Sequence, residues 1–303
     1  MLLFILVLAA APRLSAQVAV SLAIDRQNYL PYENIWASVS IKNQTGHPLT
    51  FGSNPKLKGT LDFQILTPDG KAAPLLKGKD ATIFGVLPPG GTETYCISLT
   101  RLYKVTEPGK YRVRAVLSHS LLSSSYQSNE VVFTIISGME VWKTEVGIPS
   151  MSDKLEDGKK IQTRVYRIIN FYDGVDTVFC LLVEDKDFVY GVARIGFDIG
   201  DAPPEKEIDR LSKIHVLAQD SPTIFTYLVF DPKCKLENKV VYLRAEKSRP
   251  ILVRDPKDGT VVVAGGRLGV KGVDYIDEKG RVKGVKPAPE AFIEGDGQEG
   301  QKK

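Results

Sequence analysis

From Val18 onward the chain alternates apolar and polar residues with a period of two, the mark of half-buried β-strands. Val18, Val20, Leu22 and Ile24 alternate with Ala19, Ser21, Ala23 and Asp25. Ile35, Ala37, Val39 and Ile41 alternate with Trp36, Ser38, Ser40 and Lys42. The same pattern recurs at Leu61-Phe63-Ile65, Tyr95-Ile97-Leu99, Tyr111-Val113-Ala115-Leu117 and Val131-Phe133-Ile135, with a short strand expected at 48–51. Turn residues separate these runs at Asn43 to Gly46, Pro68-Asp-Gly70, Pro88-Pro-Gly-Gly91 and Glu107-Pro-Gly109. Glycine supplies positive φ and proline presets φ in such turns. About seven short alternating strands predict an immunoglobulin-like β-sandwich over 17–137.

Strand-like segments continue at 139–146, 161–171, 177–184, 188–197, 214–219, 224–230, 240–245 and 260–264. Val178-Phe-Cys-Leu-Leu-Val183 has no polar member. Such a run suits a central strand covered on both faces. Residues 205–212 read as one short helical turn, and Asp255-Pro-Lys-Asp-Gly259 as a hairpin turn. Residues 178–190 and 214–227 share a weak likeness that resembles blades of secreted propellers. Two or three such units cannot close a ring. The second region, 138–276, is therefore expected to be another antiparallel β domain, a sandwich or an open sheet. The fold class is all-β. Residues 279–303 carry one aromatic, Phe292, among Gly, Lys, Glu and Pro, and 277–303 reads as a disordered tail.

The first domain carries a family resemblance. Ile24-Asp-Arg-Gln-Asn-Tyr-Leu-Pro-Tyr-Glu33 followed by Asn43-Gln-Thr-Gly46 resembles the opening of macroglobulin-type and related bacterial immunoglobulin-like domains. Tyr32 stands where that pattern usually has glycine. Leu87-Pro-Pro-Gly-Gly91 and Pro108-Gly-Lys-Tyr-Arg-Val-Arg-Ala115 are similar to the BsuPI-like proteinase-inhibitor domain. The second of these places Tyr111 as a tyrosine corner or as an ordinary core tyrosine. The resemblance covers 18–137 only. It implies sandwich architecture, and peptidase inhibition as an alternative function.

Met1 to Ala11 is an uninterrupted apolar run, too short to span a bilayer and followed by small residues. It reads as a secretory signal peptide over 1–16, cut after Ala16 to leave Gln17 first. No Lys or Arg precedes the apolar core. No later segment approaches spanning length, so the mature chain is expected to be soluble, and secreted or periplasmic. The 303 residues carry a formal charge of +4, with basic residues scattered among nearly as many acids. That distribution argues against nucleic acid.

Candidate chemistry is sparse. Cys96, Cys180 and Cys234 are an odd set. Either Cys180 and Cys234 form a disulfide or all three are unpaired. His47, His119 and His215 lack partners at metal-ligand spacing, and all read as structural or solvated. Ser118-His-Ser120 has no surrounding nucleophile signature. Glu184-Asp-Lys-Asp187 and the acids over 153–157 read as hairpin tips. Asn43-Gln-Thr45 fits the N-glycosylation pattern or is a plain turn. Trp36, Tyr32, Tyr103 and Tyr126 are candidate binding aromatics; Trp36 is an anchor if its face is open and core if it is covered. No cofactor and no metal is expected. The function read from the sequence is an exported, non-catalytic binding or scaffold protein with a protein or glycan partner. The alternatives are a peptidase inhibitor and a secreted hydrolase with an inter-domain site.

Overall fold

A computed structural model describes residues 17–52, 59–148, 162–200, 202–275 and the strand Gln301–Lys302. Among these residues there is no α-helix; one 3-10 turn spans Leu99–Arg101. The proposed signal segment and most of the expected tail lie outside the described residues.

The first module contains β1 (Val18–Ile24), β2 (Asn28–Tyr29), β3 (Trp36–Asn43), β4 (Leu49–Phe51), β5 (Thr60–Leu66), β6 (Gly85–Leu87), β7 (Thr92–Ser98), β8 (Gly109–Ser118), β9 (Tyr126–Gln127) and β10 (Val131–Ile135). One sheet runs β1-β3-β7 and the other β2-β10-β8-β5, with β9 on β8 and a separate β4-β6 ribbon. Every pairing is antiparallel except β2 with β10. The apolar phase of each alternating run points inward. Ala37, Val39 and Ile41 of β3 meet Leu61, Phe63 and Ile65 of β5 and Val113, Ala115 and Leu117 of β8 in one core. Tyr111 is a tyrosine corner: its hydroxyl donates to the Glu107 carbonyl at 2.9 Å, and its ring stacks on Phe133.

The second module begins after Gly138. This residue has φ +67, and a Cβ there would lie 2.5 Å from Ile169. Glycine is therefore required both by conformation and by the closeness of the next strand. Two antiparallel meanders follow: β11 (Met139–Gly147), β12 (Thr163–Tyr172), β13 (Thr177–Glu184) and β14 (Phe188–Phe197), then β15 (Glu205–Ile208), β16 (Ile214–Gln219), β17 (Ile224–Phe230) and β18 (Leu236–Leu243). They pack face to face. Tyr166, Ile168, Phe179, Leu181 and Val183 of the first sheet meet Ile214, Val216, Leu228 and Phe230 of the second. A hairpin of β19 (Ile251–Arg254) and β20 (Val261–Ala264) covers the outer face of the second sheet. β21 (Arg267–Leu268) extends that sheet beside β18, and β22 (Gln301–Lys302) adds to β14.

Residues 205–212 do not form a helical turn. Glu205–Ile208 is strand β15, paired with β16 from Glu205 opposite Leu217 to Ile208 opposite Ile214. Ile208 alone reaches the core, so this strand lacks the alternation that betrays its neighbours. β19 has the same problem, because Ile251-Leu-Val253 shows no polar alternation.

Replacing Tyr111 with Phe keeps the stacked ring and removes only the corner hydrogen bond. The expected loss is about 1 kcal/mol, read as a lower urea midpoint with an unchanged slope.

Candidate functional site

The two modules meet through the segment between β2 and β3. Leu30, fully buried, packs with Ile169, Phe171, Val178, Cys180, Leu182 and Val189 on the outer face of the first meander. Tyr32 and Ile136 pack beside it. Tyr32 has φ +66, so this chain keeps the glycine-type conformation while carrying a side chain. The left-handed backbone costs a non-glycine residue roughly 1–2 kcal/mol. Full burial of a leucine such as Leu30 contributes about 1.5–3 kcal/mol, enough to offset it.

A row of alternating charges lies beside this contact. Arg26 pairs with Asp25 and with Glu33. Glu33, 4% exposed, also accepts the Leu30 N–H at 3.0 Å and Arg194 Nε at 3.2 Å. Arg194 Nη2 then donates to Asp173 Oδ2 at 2.8 Å, and Asn28 N–H donates to the Asp173 carbonyl at 3.0 Å. Burial alone would raise the Asp173 carboxyl. The N–H groups of Asp176 and Val175, together with Arg194, outweigh it and hold this carboxyl below the ordinary carboxylate range.

The histidines are engaged where they are buried. His215 is 7% exposed, with Nδ1 at 2.6 Å from the Tyr227 hydroxyl and Nε2 at 3.3 Å from Asp209 Oδ2. Asp209 Oδ1 meanwhile accepts the N–H groups of Leu211 and Lys213. Tyr227 lies beneath Leu252 and Val263 of the β19–β20 hairpin. This Asp-His-Tyr series braces the layer between β16 and β17. His119 contacts the Thr50 carbonyl at 2.9 Å and accepts the Leu121 N–H at 3.1 Å. His47 is exposed in its turn.

The other sequence candidates are dispersed. Tyr32 belongs to the module contact. The Tyr103 hydroxyl accepts the Phe63 N–H at 3.1 Å, and its ring packs on the first core. Tyr126 packs on the same core and donates to Gln17 Oε1 at 3.3 Å. Trp36 is half-buried on the outward phase of β3. Cys180 and Cys234 are free thiols. Of the two alternatives, free thiols are what the structure shows: Cys180 packs on the face of β13 toward the first module, whereas Cys234 packs with the core on its other face. Asn43 is fully buried; its amide donates to the His47 and Leu87 carbonyls, and its oxygen accepts from Thr45. That sequon is a turn with no room for a glycan in the folded protein. Asp185 caps its hairpin through the Asp187 and Phe188 N–H groups. The acids over 153–157 lie outside the described residues. Among the described residues no group of three or more His, Cys, Asp or Glu is placed to hold a metal. No helix among them is long and apolar enough to cross a membrane.

The open surface lies at the far end of the second module. On the β19–β20 hairpin Leu252 and Val263 face inward, opposite each other. Ile251, Val253 and Val262 face outward at 38%, 40% and 51% exposure, with Val253 directly opposite Val262. β19 is tied to β15 by the Leu252 N–H to Glu205 Oε2 at 2.8 Å. β20 has no second ladder neighbour among the described residues. Lys247, Arg249 and Lys257 flank β19 and Arg254 ends it on the inward phase, among the acids Glu246, Asp255 and Asp258, with Arg249 paired to Glu205. This aliphatic face was missed in the sequence because β19 was not recognised as a strand.

No family model, no curated protein and no solved structure matches this chain.

Glu33→Ala would leave Arg26 and Arg194 without their shared carboxylate. The expected loss is about 3 kcal/mol, measured by urea unfolding. The Asp173 contribution has a defined pH window. A carboxyl depressed in the folded state stabilises above its unfolded pKa of about 4 and loses this effect as pH falls through its lower folded value. Asp173→Asn should therefore narrow its stability gap to the parent protein as pH falls from 6 to about 3, followed by thermal melts.

Proposed function

We propose that this chain is an exported, non-catalytic scaffold that holds a protein partner at the cell envelope. The observation that carries the reading is the outward face of the β19–β20 hairpin. Clustered exposed aliphatic side chains on a folded protein mark interaction surfaces. Here they sit beside the β20 edge, which has no second ladder neighbour among the described residues. An extended segment adding to β20 would pair with that edge and cover Val262 and Val253 together. Lys247 and Lys257, at the two ends of β19, can meet acids at the ends of such a segment. Aliphatic side chains without an aromatic platform favour protein over glycan.

The remaining polar groups support a non-catalytic role. Glu33, Asp173, Asp185, Asp209 and His215 all spend their hydrogen-bonding capacity on turns and layer contacts. The apolar run from Met1 to Ala11 supports export, which would put the partner in the secreted or periplasmic fraction.

A photo-crosslinking residue installed at position 262 tests the surface in cells of the source organism. We expect one discrete protein adduct, whose crosslinked peptide is an acid-flanked aliphatic segment. The adduct should disappear when Val253→Lys is added, with the melting temperature unchanged. No adduct at 262, or an adduct indifferent to Val253→Lys, would remove this reading.

A further inference from the structure

Gln17 occupies an unusual position for its place in the sequence. Its side-chain oxygen Oε1 accepts three donors: the Ser123 N–H at 3.3 Å, the Ser123 hydroxyl at 3.2 Å and the Tyr126 hydroxyl at 3.3 Å. Its main-chain carbonyl accepts the Gln44 N–H at 2.9 Å. The backbone of this residue is thus tied to the turn after β3, and its side-chain carbonyl is held by Ser123 of the loop after β8 and by Tyr126 at the start of β9. Tyr126 is itself held, since it pairs with Leu117 on β8 and packs on the first core.

Donors converging on one carbonyl oxygen do more than hold it. They withdraw electron density from the carbonyl carbon and stabilise negative charge that develops on the oxygen when a nucleophile adds. If Gln17 begins the exported chain, a nucleophile is built in, because its own α-amine can reach Cδ through a five-membered ring. Intramolecular attack of this kind replaces a bimolecular encounter with a bond rotation.

We infer that Gln17 is a self-modification site, converted to pyroglutamate after the leader is removed, with Ser123 and Tyr126 acting as the oxyanion cradle. This inference rests on the export reading and on cleavage after Ala16. The unprotonated α-amine adds to Cδ, and the carbonyl π electrons move onto Oε1 beneath the three donors. The carbonyl re-forms as the Cδ–Nε2 bond breaks. The departing amide nitrogen takes the proton lost by the α-nitrogen and leaves as ammonia. No oxidant, cofactor or second substrate is needed. The product has no terminal amine, which removes one positive charge from that end of the sandwich and closes it to aminopeptidases.

The test has two arms. In the first, the protein is recovered from the exported fraction and its N-terminal peptide is weighed. We expect a peptide beginning at residue 17 and lighter than open glutamine by one ammonia, about 17 Da. A peptide beginning elsewhere, or an uncleaved chain, overturns the cleavage premise and the inference with it. A peptide beginning with open Gln17 after prolonged incubation overturns the inference while leaving the export reading intact.

In the second arm, residues 1–16 are replaced by a leader that is cut in vitro before Gln17. Ammonia loss is then timed for the otherwise full chain and for Ser123→Ala, Tyr126→Phe and the double variant. We expect the double variant to cyclise at least about tenfold more slowly, with a circular dichroism spectrum matching the parent. Should the double variant still be folded and cyclise at the parental rate, the cradle is idle and the inference falls. The single Tyr126→Phe variant, which loses one hydroxyl and no ring, keeps the comparison valid if the double variant unfolds.

Discussion

A β-sheet has two faces, and a strand that is apolar on both must be covered on both. β13 imposes this demand on the whole molecule. Phe179, Leu181 and Val183 require the second meander, while Val178, Cys180 and Leu182 require something on the opposite side. That cover comes from Leu30, Tyr32 and Ile136 of the first module. The connection between modules is therefore part of a core. β16 and β17 repeat the demand one layer further out, where Leu217, Phe225, Tyr227 and Val229 are met by the β19–β20 hairpin. The layers follow by necessity until the hairpin, whose outward side chains have no further layer among the described residues.

The inter-module ion row gains meaning from that arrangement. Exposed ion pairs contribute little, but a buried carboxylate is costly unless several donors hold it. Glu33 meets that condition with two guanidinium groups and one N–H, drawn from both modules. The apolar contact supplies the attraction between modules and the charges fix its orientation. A sliding motion would strand Glu33 or Asp173 without Arg194. Tyr32 fits the same logic. Glycine at that position would remove the backbone strain but also leave the joint without the ring that widens it.

Much of this was legible in the chain. Strands with clean alternation in the first module, and the apolar runs of β13, β16 and β17, follow from the residues themselves, as does the Tyr111 corner with its Pro-Gly turn. Double coverage of β13 was readable from Val178-Phe-Cys-Leu-Leu-Val183, though not the identity of its cover. Local patterning cannot name a partner that lies 150 residues away in sequence, as Leu30 does from Cys180 (about 150 by the numbering of the chain). β15 was misread because Glu205-Lys-Glu207 is polar on both phases. β19 was passed over because both of its faces are aliphatic. The choice between a Cys180–Cys234 disulfide and free thiols could be made only once the layers were known, because the two thiols belong to cores on opposite sides of β13.

The distribution of polar chemistry follows from layering as well. A β stack buries many backbone-facing side chains, and any polar one must find partners inside the layers. His215 does so with Tyr227 and Asp209, and His119 with the Thr50 carbonyl and the Leu121 N–H. Both histidines are thus engaged within the layers. What the layers leave open among the described residues lies at the ends of the stack. One such place is the β20 edge, which offers backbone hydrogen bonds and aliphatic cover to a strand from outside. The other is Gln17, where donors from Ser123 and Tyr126 converge on one side-chain carbonyl.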